Sequence, residues 1–254
     1  SNNLISYITY LPTMAAAALH HKKISPEPIN EETFLRDART FATDELLPAL
    51  FKGNQLNAEQ RKQLAQRLAW FTGLSPDYVE RANLRVNGFS FAKELLREQG
   101  LALGLLDARY TRDDIDDLES QPESDAAGDA ISGAFQAAMR SYMHNDLKID
   151  WNRLYKSPSD DELGNKWRWR TAPDDSAWEP WPVNTAGDLV SALRVNPSLK
   201  VMVASGYHDL VTPFFDAEYT LNRHGIKQGR VEYHYYTGGH MMYVHEPSRT
   251  DLLY

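Results

Sequence analysis

Apolar positions along the chain fall into two textures. From about residue 25 to 147 they recur at helical spacing. Asn30 is a candidate helix cap, Glu31 and Glu32 suit a first turn, and Phe34, Ala38, Phe41 and Ala42 form a stripe ending before Gly53. The capping box Asn57…Gln60 opens a second helix, which runs through Leu64, Leu68 and Phe71 to Gly73. Ser75-Pro76 starts a third, with proline at the first helical position, and Asn87-Gly88 ends it. Ser90 caps a fourth that stops at Gly100, and Ile131, Phe135, Ala138 and Tyr142 mark a fifth. Residues 113–128 are acidic and turn-rich and read as a loop.

After residue 184 the texture becomes strand and helix in alternation. Residues 184–196 read as a helix, and 199–204 (LKVMVA) as a strand whose Val201, Met202, Val203 and Ala204 suit burial on both faces. Residues 213–224 are helical again, 230–236 (RVEYHYY) are β-branched and aromatic, and a last helix starts at Pro247. Strand, crossover and strand at this spacing make a parallel βαβ unit. The fold class is therefore α/β, with three regions: a sheet-proximal segment over 1–24, a mainly helical cap or insertion over 25–183, and a C-terminal βαβα part over 184–254. Trp167, Trp169, Trp178 and Trp181 fall in an irregular stretch, 155–183, which reads as a packed surface loop.

Composition narrows the function. Of the 254 residues, 42% are apolar and 24% charged, ordinary for a globular chain, and the net charge of −8 argues against a nucleic-acid partner. The longest apolar run, 14–19, is mostly alanine and far short of the ~20 residues of a membrane span. No basic stretch precedes it to suggest a signal peptide. No cysteine is present, so disulfides, thiolate metal sites and a cysteine nucleophile are excluded within these residues. No histidine spacing suits a metal, and no cofactor-binding loop is visible.

Candidate chemistry follows the two strands. Asp209 lies in the segment after the first, and His240 after Gly238-Gly239 beyond the second. Open parallel sheets place their functional groups at that edge. An acid and then a histidine match the late members of a Ser…Asp…His order. The imidazole takes the serine proton, the carboxylate orients it, and the two glycines give the turn room to bend. The plainer alternatives are that Asp209 caps the helix near Pro213 and that His240 is a polar turn residue. No G-x-S-x-G elbow occurs; the nearest match, 88–92, holds Ser90 in the helical region, where a helix cap is the better reading.

Residues 205–213 (SGYHDLVTP) and 238–247 (GGHMMYVHEP) resemble the acid and histidine motifs of the serine carboxypeptidase family, particularly its bacterial members. Residues 10–13 (YLPT), 86–88 (VNG), 106–111 (LDARYT) and 133–135 (GAF) agree, so the resemblance covers nearly the whole chain. It implies an α/β-hydrolase whose helical region is an insertion over the sheet. The implied reaction removes a C-terminal residue from a peptide substrate through an acyl-enzyme. Asp209 then matches the triad acid, His240 the base, and Met241 a residue lining the leaving-group side. The family's serine elbow, its carboxylate-recognising glutamate and its oxyanion-hole glycines lie upstream of anything matching Asn3. The resemblance thus implies a C-terminal portion of the pattern, without the nucleophile, inactive by itself, and a periplasmic or secreted location. Self-association through the open sheet edge is expected. A non-catalytic binding or assembly module of hydrolase descent, and another α/β-hydrolase acting on esters or amides, are the alternatives.

Overall fold

The computed structural model describes residues 3–25, 30–150, 166, 173, 175–177 and 184–253; the four tryptophans of the irregular stretch lie outside these residues. The chain mixes helix with two small sheets. It divides into two compact units, Ser1–Ala130 with Lys200–Tyr254, and Ile131–Leu199.

The first unit is built around helices α1 (Ile5–Thr9), α2 (Leu11–His20), α3 (Glu31–Phe41), α4 (Leu47–Lys52) and α5 (Ala58–Thr72). The alanine run belongs to α2, and Ala15, Ala16, Ala17 and Ala18 are all buried. Their small side chains let α3 and α5 pack closely against it. Around them Phe41 stacks on Phe71 at 5.2 Å and Phe34 lies 5.5 Å from Phe71. The caps read from the sequence form: the Asn30 side chain accepts from Thr33 N, and both bonds of the Asn57–Gln60 box are made. Gly73 closes α5 in the left-handed region. Between α3 and α4 the residues Ala42–Leu46 form a π-helical turn. Pro48 explains it, because a proline has no N–H for the preceding turn and crowds its carbonyl, so the ladder opens.

Three helix boundaries differ from expectation, the third being the end of the fourth helix, at Glu94 rather than Gly100, with a separate 3-10 turn, Arg97–Gln99, before that glycine. Helix α6 (Pro76–Arg81) stops short of Asn87, and just beyond it Asn83 and Leu84 take positive φ. Asn87 then starts α7 (Gly88–Glu94) as its cap, accepting from Ser90 N at 2.9 Å. Asn87-Gly88 is thus a start signal, and Ser90 sits inside the first turn rather than capping it. An amide oxygen one turn ahead is already placed for the free N–H. The acidic stretch after residue 113 follows an antiparallel ribbon, β1 (Leu101–Leu103) with β2 (Thr111–Asp113), and leads into α8 (Ala126–Ser141).

Lys93 on α7 holds that acidic stretch in place. It is buried, its Nζ lies 2.5 Å from Asp114 Oδ1, and it also reaches Asp116 O. Replacing it leaves a buried carboxylate whose other oxygen, Asp114 Oδ2, already lacks a hydrogen bond. Lys93→Met is expected to cost about 3 kcal/mol in urea unfolding. Adding Asp114→Asn is expected to recover much of that loss.

β3 (Val201–Gly206) and β4 (Val231–Tyr236) run parallel and in register, from Val201 opposite Val231 to Gly206 opposite Tyr236, with the helix Phe214–Asn222 between them in sequence. This is the expected βαβ order. Burial of Val201–Ala204 on both faces is not found: Met202 is 52% exposed and its neighbours are half-buried. Complete parallel sheets bury both faces between helices, whereas this sheet has two strands among the described residues. Arg39 fastens α3 to the sheet. Its guanidinium lies 4.7 Å from the Phe214 ring and bonds Glu218 Oε1 at 2.9 Å, which also accepts from the Tyr235 hydroxyl. Burial, with Glu218 alongside, pushes the Tyr235 phenol well up.

Candidate active site

Parallel, in-register strands end at the same edge, so the segments leaving β3 and β4 meet there. Pairing continues one step past the strands, with Tyr207 N–H donating to Tyr236 O and His208 N–H to Gly238 O. Glycine is needed at the crossing. A Cβ on Gly206 would stand 2.2 Å from Gly239 O and 2.3 Å from Gly238 O. One on Gly239 would stand 2.3 Å from Leu106 O. Gly238 and Gly239 take no positive φ, so closeness of backbones, and not a sharp bend, is what demands them.

The joint brings Asp209 and His240 together. Asp209 Oδ2 lies 2.9 Å from His240 Nδ1. The carboxylate is nearly enclosed, its side chain 6% exposed against 39% for the imidazole. Its own loop orients it: Oδ1 accepts from Val211 N at 2.8 Å and Thr212 N at 3.0 Å, and Oδ2 from the Thr212 hydroxyl at 2.7 Å. Asp209 therefore organises a turn but does not cap the following helix, whose N-cap position is Pro213 and which has no side-chain cap. In the neutral ring, an Nδ1–H donating to Asp209 leaves Nε2 free to accept a proton. Met241 lies half-buried beside the histidine.

A third segment supports both loops. Leu105 O accepts from Leu210 N at 2.9 Å, Leu106 O from His240 N at 2.6 Å, and Ala108 N donates to His208 O at 2.9 Å. Sequence reasoning quoted residues 106–111 only as part of a resemblance, and assigned nothing to Thr212. A hydroxyl three residues after an acid was the available signal for Thr212. Behind the loops lies His208, buried, with Nδ1 lacking a hydrogen bond. Burial pushes its imidazole down to about 3. The Asp107 carboxylate opposes that shift, but Arg109, His20 and His21 add to it.

Other candidates do not converge. His245 Nδ1 meets Ser248 Oγ at 2.8 Å, but Ser248 is buried in the first turn of the helix Glu246–Leu253 and is not an accessible nucleophile. Among the described residues no three histidine or acidic side chains gather as a metal site, and no helix is long and apolar enough to cross a membrane. Compared with protein-family models, curated proteins and solved structures, the chain matches none of them.

Proposed function

We propose that Asp209 and His240 are the acid and base of a serine-type hydrolase of the serine carboxypeptidase family, one that releases C-terminal residues from peptides, and that β3 and β4 are late strands of an α/β-hydrolase sheet. The observation that carries this reading is the 2.9 Å Asp209–His240 contact, made where two in-register parallel strands end. In the reaction His240 Nε2 takes the serine proton as Oγ bonds the scissile carbonyl carbon. The same proton passes to the amine as the C–N bond breaks, and water then hydrolyses the acyl-enzyme. Asp209 holds the tautomer and offsets the imidazolium charge. Met241 lines the leaving-group side. No G-x-S-x-G elbow occurs in these 254 residues, so the nucleophile is placed outside them.

The test uses the chain itself. Peptides with free C-termini are expected to remain uncleaved, whereas p-nitrophenyl acetate needs only an oriented base. His240→Ala and Asp209→Asn are each expected to lower that esterase rate about tenfold or more. Rates equal to the unmodified chain's would end the acid–base assignment. Turnover with phosphonate labelling at a serine of this chain would end the placement of the nucleophile. One observation favours a second reading. Asp209 accepts three hydrogen bonds within its own loop, which suits a binding module where the pair merely staples two loops. On that reading Asp209→Asn lowers the melting temperature and leaves the esterase rate unchanged.

A further inference from the structure

We propose that Asp125 is a positioning residue for the Asp209–His240 pair, an inference that rests on the reading of that pair given above. Asp125 touches neither partner. Its carboxylate accepts from three backbone N–H groups: Leu105 at 2.7 Å and Leu106 at 2.8 Å on Oδ2, and Gly128 at 2.7 Å on Oδ1. Bonds to an ionised acceptor are stronger than neutral ones.

Their destinations matter more than their number. The planar peptide joining Leu105 to Leu106 donates its N–H to Asp125, and its carbonyl accepts from Leu210 N–H, next to Asp209. The following carbonyl, Leu106 O, receives the His240 N–H. The carboxylate thus fixes the peptides on both sides of Leu105; the second of them holds the Asp209 loop directly, and the next peptide along the chain, attached to it through Leu106, holds His240. The loop has little freedom on its other side. A Cβ on Gly104 would stand 2.7 Å from Asp107 O and 2.9 Å from Ala127 N, in the first turn of α8. Asp107 is occupied within the loop itself, by Arg109 at 2.6 Å, and His21 at the end of α2 meets the loop farther on, its Nε2 2.7 Å from Ala108 O; Asp125 is the side chain that anchors the Leu105 and Leu106 peptides.

The tautomer of neutral His240, read by ¹⁵N NMR of the 254-residue chain, separates positioning from general stability. The unmodified chain is expected to show the Nδ1–H form. Asp125→Ala is expected to move it to a mixture richer in Nε2–H, and to speed amide exchange at His240 and Leu210 about tenfold or more while α5 keeps its protection. Asp125→Asn retains one acceptor oxygen and is expected to shift both readouts the same way by less, so the question stays open to measurement if the alanine variant does not fold. Lys93→Met lowers the melting point but is expected to leave the tautomer alone. The inference is overturned if the Asp125 variants keep the original tautomer and exchange rates, or if Lys93→Met moves them as far. Asp209→Asn distinguishes the two failures. If it shifts the tautomer and the Asp125 variants do not, positioning alone falls. If it leaves the tautomer unchanged, the pair reading falls as well.

Discussion

Gly206→Ala is expected to destabilise the chain by about 4 kcal/mol or more, or to prevent it from folding, although it adds a single methyl group. The added carbon would meet two carbonyl oxygens, those of Gly238 and Gly239, well inside contact distance. Backbone on both sides cannot swing away as a side chain can, so the two loops must part. The hydrogen bond from His208 N to Gly238 O is lost with them, and the Asp209–His240 contact opens. Gly133→Ala is the matched control. It makes the same chemical change within α8, where a Cβ meets nothing within 4 Å. That variant is expected to gain about 0.5–1 kcal/mol, because alanine is the better helix former. Urea unfolding of both variants checks the pair, and similar midpoints would show that the close crossing is not a constraint.

Acid is expected to act through His208. Its folded imidazole is held at about 3 by burial, while in the unfolded chain it titrates near ~6.5. Above that unfolded value both states are neutral and the group contributes no pH dependence. Between the two values only the unfolded state takes up the proton. Stability therefore falls as pH falls, by about 1.4 kcal/mol per pH unit, and levels off below the folded value. The neighbours on every side are Asp107, Arg109, His20 and His21. His20 shifts in the same direction but lies at the surface, so its share is smaller. Urea unfolding from pH ~7.5 to ~5, a window above the ordinary carboxylate range, isolates the histidines. His208→Leu is expected to remove most of the slope, and an unchanged slope would sink this account.

Local signals were legible along the chain because they are local physics. A short polar side chain ahead of an apolar stripe, as at Asn30 and Asn57, supplies an acceptor for free N–H groups wherever it occurs. Alternation of strand and helix after residue 184 required a parallel pair, and a parallel pair puts the following segments at one edge. The pattern along the chain is therefore enough to place Asp209 and His240 after neighbouring strands. It failed at Asn87, where two helices compete for one Asn-Gly and sequence alone does not rank a stop against a start.

What only the tertiary structure decided is everything that depends on contacts distant in sequence. The glycines of the joint look like bend residues in the sequence, yet their backbones are ordinary, and the requirement comes from chains crossing at atomic contact. Asp125 reads as one more acid in a polar stretch until the fold aims its carboxylate at peptides 19 and 20 residues earlier. His208 carries no sequence mark of its burial. Exposure of Met202 has the same origin, since an apolar strand specifies a wish for cover while its neighbours decide whether cover is present. Side-chain chemistry and period are properties of a residue and its turn; burial, close approach and the partner of a hydrogen bond belong to the packed chain, and at this site those are what hold an acid against a histidine.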